Sequence, residues 1–235
     1  MKTFLSILAA AAVSPSLPPL ELGTFDVYPG LGGIVVAAPH EGFDLGTASV
    51  ASAAATVMGA GYVGATGFRK RAHPINVNRP TEGVGLKPAE ETRTERAETI
   101  YHAYLARLGH AARGSVRLLI EIHGNARAEN VGVVEIATVG VSRDRALALR
   151  KRLSERFPQV DWRIEPLDEL HYRAPASKEY GALSKVARSL HFELPQSLRG
   201  QDQGAEVGKR LGEVVTEWLA EASASVGRHL WSGRV

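Results

Sequence analysis

The sequence predicts an α/β fold, a three-layer sandwich built on a mixed, mainly parallel sheet. Uncharged apolar runs alternate along the chain with amphipathic helical segments, so strands and helices take turns. Several of the runs deliver a histidine or a carboxylate at their carboxyl end, where an open α/β sheet gathers its ligands. The 235 residues, 44% of them hydrophobic, are enough for one sizeable core.

The amino terminus comes first. Lys2, the apolar run Phe4 to Leu8 and the small residues around Ala10-Ala11-Ala12 have the composition of a secretory signal peptide over residues 1–14. The run is too short to span a bilayer, and the other reading is a first helix or strand of the folded protein. A signal makes the product secreted or periplasmic; without one it is cytoplasmic. Residues 15–32, Pro-rich from Pro15 to Pro19, then read as a leader, and 33–235 as a single domain.

Gly33 to Ala37 reads as a buried strand, Ala38 to Asp44 as a tight loop and Thr47 to Met58 as a helix. Tyr62 to Phe68 is a second strand. It leads into a basic loop from Arg69 to Pro80, in which Arg69, Arg71, Asn78 and Arg79 offer donors suited to an anion; the same residues also fit a solvated loop. Pro88 to Arg113 is the longest helical stretch, with Ala97, Ile100, Tyr101, Tyr104, Leu105 and Leu108 on one face. Val116 to Ile122 forms a strand that runs directly into His123-Gly124-Asn125, and Val131 to Val139 forms another. Ser142 opens an amphipathic helix that stops at Pro158, Asp161 to Ile164 resumes the sheet, and an irregular stretch occupies Leu167 to Tyr180. The strand Ser189 to Pro195 and a helix from Gly204 to Ser223 close the domain.

Composition removes several function classes. The formal charge of +3 is small and the cations are scattered, with no RNA-recognition signature, basic zipper or finger spacing, so nothing points to nucleic acid. With no cysteine there is no disulfide and no thiolate site, and any metal must be held by carboxylates and by some of the eight histidines. No Gly-rich phosphate loop and no Gly-x-Ser-x-Gly elbow is present. The sequence leaves the oligomeric state open.

Two strands end in histidines, His40 and His123, and two histidines at neighbouring strand ends make a shared metal more credible than either alone. Asp44 either joins them or caps the following helix. Glu193 lies in an apolar strand, where a carboxylate is costly; it either pairs with a cation or works beside a metal.

In chain order the motifs are His40 with its nearby carboxylate, Asn76 to Pro80, Glu121-Ile122-His123-Gly124-Asn125 and Phe192-Glu193-Leu194. Together they resemble the N-formylglutamate amidohydrolase family and, more distantly, the zinc carboxypeptidase superfamily with its poly-γ-glutamate hydrolase relatives. The resemblance implies zinc held by His40, His123 and a carboxylate. The carboxypeptidase position for that carboxylate falls on Phe43, so Asp44 takes the place and Glu41 is the alternative. It also implies that Asn78 and Arg79, with Arg69 or Arg71, receive an anionic group or the scissile carbonyl, and that Glu193 is the general base. The activity implied is hydrolysis of an amide bond in a small anionic amide or peptide, an N-acylamino acid or a γ-glutamyl chain. A binding protein that keeps the fold and an anion pocket is the other function the residues allow.

Overall fold

The computed structural model describes residues 22–83, 86–127, 131–200 and 203–231, with the backbone alone beyond Glu221. The signal-peptide segment lies outside the described residues. In chain order the elements are β1 (Thr24–Tyr28), β2 (Ile34–Glu41), α1 (Thr47–Met58), β3 (Gly61–Thr66), the short β4 (Arg69–Lys70) and β5 (His73–Pro74), α2 (Glu95–Ala111), β6 (Leu118–Asn125), β7 (Val133–Val139), α3 (Arg143–Arg156), β8 (Asp161–Ile164), α4 (Pro175–Glu179), β9 (Ser189–Pro195), α5 (Gln196–Arg199) and α6 (Gly204–Trp231).

Seven strands form one mixed sheet in the order β1-β3-β2-β6-β9-β7-β8. β3, β2, β6 and β9 run parallel, while β1 and β7 join antiparallel at the two margins and β8 runs parallel to β7. Helices cover both faces, which is why the central strands are apolar almost throughout. Val36, Ala38, Ile120, Ile122 and Phe192 pack into one core with residues of α1, α3 and α6, including the fully buried Trp218. Val35, Ala37 and Leu119 point the other way, into a second core with Ile100, Tyr101, Tyr104 and Leu108 of α2. The three-layer expectation therefore holds.

Several boundaries move: β2 continues through Glu41, so that His40 stands on the strand and not in a loop from Ala38, and the closing helix runs on to Trp231 instead of ending at Ser223. The domain does not begin at residue 33, because Thr24–Tyr28, inside the stretch read as a leader, pairs with β3 from Thr24↔Thr66 to Tyr28↔Tyr62. Phe25 and Val27 alternate with polar neighbours and pack on the α2 core, the pattern of a half-buried edge strand. The long helix starts at Glu95 instead of Pro88. Thr94 caps it by accepting from the Ala97 backbone N–H at 3.1 Å, and before it Thr92 exchanges backbone hydrogen bonds with Glu82 in an extended pairing.

No described helix is long and apolar enough to cross a membrane.

Candidate active site

The carboxyl ends of β2, β6 and β9 lie side by side and carry the predicted histidines and acids together. β6 and β9 pair in register so that Glu121 sits beside His191 and His123 beside Glu193. A two-residue period puts all four on one face, over α2. His40 reaches that face by a different route. Val36 and Ala38 belong to the opposite core, but β2 takes one extra residue relative to β3 between Ala38 and Glu41. That bulge turns His40 toward His123, their ring centroids 4.7 Å apart.

Asp44 does not cap α1. The cap position belongs to Gly46, at φ +85° and with no side-chain bond, where an added Cβ would lie 1.7 Å from the Arg199 carbonyl oxygen. The Asp44 carboxylate turns inward instead: Oδ2 is 3.4 Å from His40 Nδ1 and 3.7 Å from His123 Nδ1, and those two nitrogens are 3.1 Å apart. Ligands bound tetrahedrally at about 2.0–2.2 Å lie roughly 3.4 Å from one another, so this donor set fits one small divalent ion. All three residues are buried.

The charges suit that use. Burial works against the Asp44 carboxylate, but the imidazoles of His123 and His40 outweigh it and hold it well below the usual carboxylate range. Burial, reinforced by Arg69, pushes His40 well below its ordinary value, so the ring is neutral. For His123 burial is outweighed by Asp44 and Glu121, which push it up to about 9. A metal at His123 Nδ1 therefore displaces a proton there.

Glu121, fully buried, fixes the His123 ring. Its Oε2 lies 3.4 Å from His123 Nε2 and 3.2 Å from His191 Nδ1 and accepts from Asn78 Nδ2 at 3.1 Å, while Oε1 accepts from the Tyr104 hydroxyl at 3.0 Å. With Nε2–H directed at Glu121, His123 presents the Nδ1 lone pair to the ligand position, the arrangement that orients metal-binding imidazoles. Burial opposes the Glu121 charge too, yet the two imidazoles hold it well below the carboxylate range. Glu193 lies at the mouth of the group, and its Oε1 is 3.2 Å from His191 Nε2.

The cationic candidates part company. Arg69 reaches the metal group, with Nη1 2.6 Å from His40 Nδ1 and its guanidinium 4.4 Å above the Phe43 ring. A guanidinium only donates, so it uses the same lone pair that a metal would, and the two uses exclude each other. Arg71 is an exposed turn residue. Arg79 is held by Glu91, and Asn78 serves Glu121. Glu41 follows His40 on the opposite side of its strand, its Oε2 near Tyr62 and Gly64, and takes no part in the metal group. Accordingly Asp44→Ala is expected to weaken metal binding at least about a hundredfold, and Glu41→Ala less than about threefold, in a competition titration against a chelating dye.

Glu121, His191 and Arg199 were not singled out from the sequence. The first two carried a signal, since Glu121-x-His123 and His191-x-Glu193 share the period that puts both members on one strand face. Arg199 carried none. It is buried and donates Nη1 to the Leu45 carbonyl at 2.5 Å, Nε to that of Leu194 at 3.1 Å and Nη2 to that of Asn125 at 3.4 Å. One guanidinium thus ties together the three chain segments that follow Asp44, Glu193 and His123. Gly124 leaves room beneath it, since a Cβ there would lie 2.7 Å from Arg199 Cζ and push the guanidinium off its carbonyl partners.

No protein-family model matches the sequence, and no curated protein is similar to it. Solved structures are. A bacteriophage poly-γ-glutamate hydrolase superposes with a TM-score of 0.58 at 10% identity over 88% of this chain and 93% of that one. The N-formylglutamate amidohydrolase of Ralstonia eutropha JMP134 gives 0.53 at 14% identity over 84% and 97%. The fold is that of these hydrolases. A zinc-free apo form of YNDL gives 0.50 at 16% identity over 84% and 90%. At such identities the likeness lies in the backbone, and the chemistry of this chain rests on its own side chains.

Proposed function

We propose that this protein is a zinc-dependent hydrolase that cleaves an amide bond in an N-acylamino acid or a peptide, γ-glutamyl linkages included. The observation that carries the reading is the convergence of His40 Nδ1, His123 Nδ1 and Asp44 Oδ2 at 3.1–3.7 Å, with Glu193 beside His123 on the next strand. Two imidazoles and one carboxylate are a donor set that suits zinc, which His40, Asp44 and His123 would hold. The ion supplies a Lewis acid that makes water nucleophilic near neutral pH.

This chain's residues do the rest. Glu193 takes the proton of the attacking water and returns it to the leaving nitrogen, with its carboxylate held in place by His191. Glu121 keeps His123 in the tautomer that ligates through Nδ1. Arg69, partly buried at the metal group, meets the scissile carbonyl or an anionic group of the substrate. It replaces Arg79 in that role, because Arg79 already holds a carboxylate of its own chain. A signal over residues 1–14 would place the reaction outside the cytoplasm.

Purified protein is expected to bind one zinc per chain and to hydrolyse members of a panel of N-acylamino acids and γ-glutamyl peptides. A chelator should remove both metal and turnover, and added zinc should restore both. A folded preparation that takes up no zinc would end this reading in favour of a binding protein.

A further inference from the structure

Arg79 is the residue expected to anchor a substrate carboxylate, and its fork is filled from within the chain. Its Nε donates to Glu91 Oε2 at 2.8 Å and its Nη2 to Glu91 Oε1 at 2.5 Å, the two-pronged geometry that a bound carboxylate would adopt. Glu91 also accepts from Thr81 Oγ1 at 2.7 Å, and its side chain is only 1% exposed. The segment that carries it is built into the fold, since the next residue, Thr92, pairs with Glu82 through two backbone hydrogen bonds. The site is close by. Arg79 Nη1 lies 3.4 Å from Asn78 Oδ1, Asn78 donates to Glu121, and Arg69 is within electrostatic reach of both Arg79 and Glu91.

We propose that Glu91 is a specificity-determining residue: by occupying Arg79 it denies a free carboxylate of the substrate its anchor. The site then takes at this position an uncharged group, a carboxamide or the next linkage of a longer polyamide, and cleaves within a chain instead of at its carboxyl end. This rests on the reading of the site as an amide hydrolase. The physical reason is an exchange without profit. A substrate carboxylate that captured Arg79 would leave Glu91 buried without its cation, with the Thr81 hydroxyl still donating to it, so the new contact is offset by the loss of the old one. A neutral group displaces nothing.

The test uses glutarate and glutaramide, a dicarboxylate and its diamide of similar size, titrated calorimetrically into the zinc-supplied full chain. Glu91→Gln is expected to bind glutarate at least about tenfold more tightly than wild type and to change glutaramide by less than about threefold. The gain should vanish in the double variant Arg79→Gln/Glu91→Gln. Equal glutarate affinity in wild type and in folded Glu91→Gln overturns the proposal. If that variant does not fold, the side-chain Nε–H resonance of Arg79 in the wild-type protein decides. It should stay in place on saturation with glutarate, and a shift that reports capture of the added carboxylate overturns the proposal. Binding is read without turnover, so a protein that behaves as expected here yet cleaves no amide refutes the catalytic reading alone. One that cleaves amides with no dependence on Glu91 refutes this inference alone.

Discussion

Glu193→Gln is expected to leave zinc content and melting temperature near wild type while turnover falls by a factor of about 10² to 10⁴, the share that general acid-base catalysis contributes. Two observations support so selective an effect. Among the described residues no lysine or arginine lies within ion-pair distance of Glu193, whose polar partner is the His191 ring at 3.2 Å. Had the carboxylate balanced a buried guanidinium, its neutralisation would strand that cation and cost about 3–5 kcal/mol. Glutamine keeps the volume and, having both an acceptor oxygen and a donor nitrogen, can bond His191 Nε2 in either tautomer, and it gives up only the capacity to carry a proton. Metal analysis, thermal unfolding and turnover on the same preparation check this together. A zinc-loaded, stable variant with near-normal turnover would remove Glu193 as the base.

His123→Ala is expected to abolish stoichiometric zinc binding, as is His40→Ala, since a three-ligand site does not hold on two. His123 is a ligand in the proposed reading and also the ring around which the site is ordered, stacked on His191 at 4.1 Å between centroids and bound on its far side to Glu121. Its loss leaves two donors of three and frees Glu121 from one of the imidazoles that hold its charge. Glu121→Gln separates the two contributions. It keeps all three proposed ligands but turns one acceptor oxygen into a donor, weakening the hold on the His123 ring together with a bond from Asn78, Tyr104 or His191, so zinc affinity should fall by about 10–100-fold without being lost. Zinc retained at full occupancy in His123→Ala, measured after dialysis against a weak chelator, would show that the ligands lie elsewhere.

Much of this site was legible in the chain because strand periodicity and strand ends are local properties. An apolar run that stops at His123, a second that stops at His40 and an acid inside the run at Glu193 are visible in single segments, and a parallel sheet is the arrangement that brings such ends together. Glu121 and His191 were visible in the same way, two residues before His123 and Glu193, but nothing in a single strand says that the neighbouring strand offers a partner. Arg199 and Glu91 were out of reach. Their roles arise from contacts with Leu45, Asn125 and Arg79, far along the chain or across a loop, and a residue's type does not name its partner.

By itself, then, the sequence determined the layered α/β architecture and the exclusion of thiolate chemistry, and it offered the two histidines on which a metal reading depends, with the carboxylate open between Asp44 and Glu41. Only the tertiary structure decided which way those residues face. Regular alternation from Val36 and Ala38 would carry His40 to the α1 side of the sheet, away from His123, and the extra residue before Glu41 reverses that. The same reversal leaves Glu41 outside the metal group and makes Asp44 the carboxylate that turns inward. A bulge is specified by how β2 pairs with β3, and Arg79 is neutralised by where the Glu91 segment lies against it. Both are properties of two segments meeting, and no single segment of the sequence contains them.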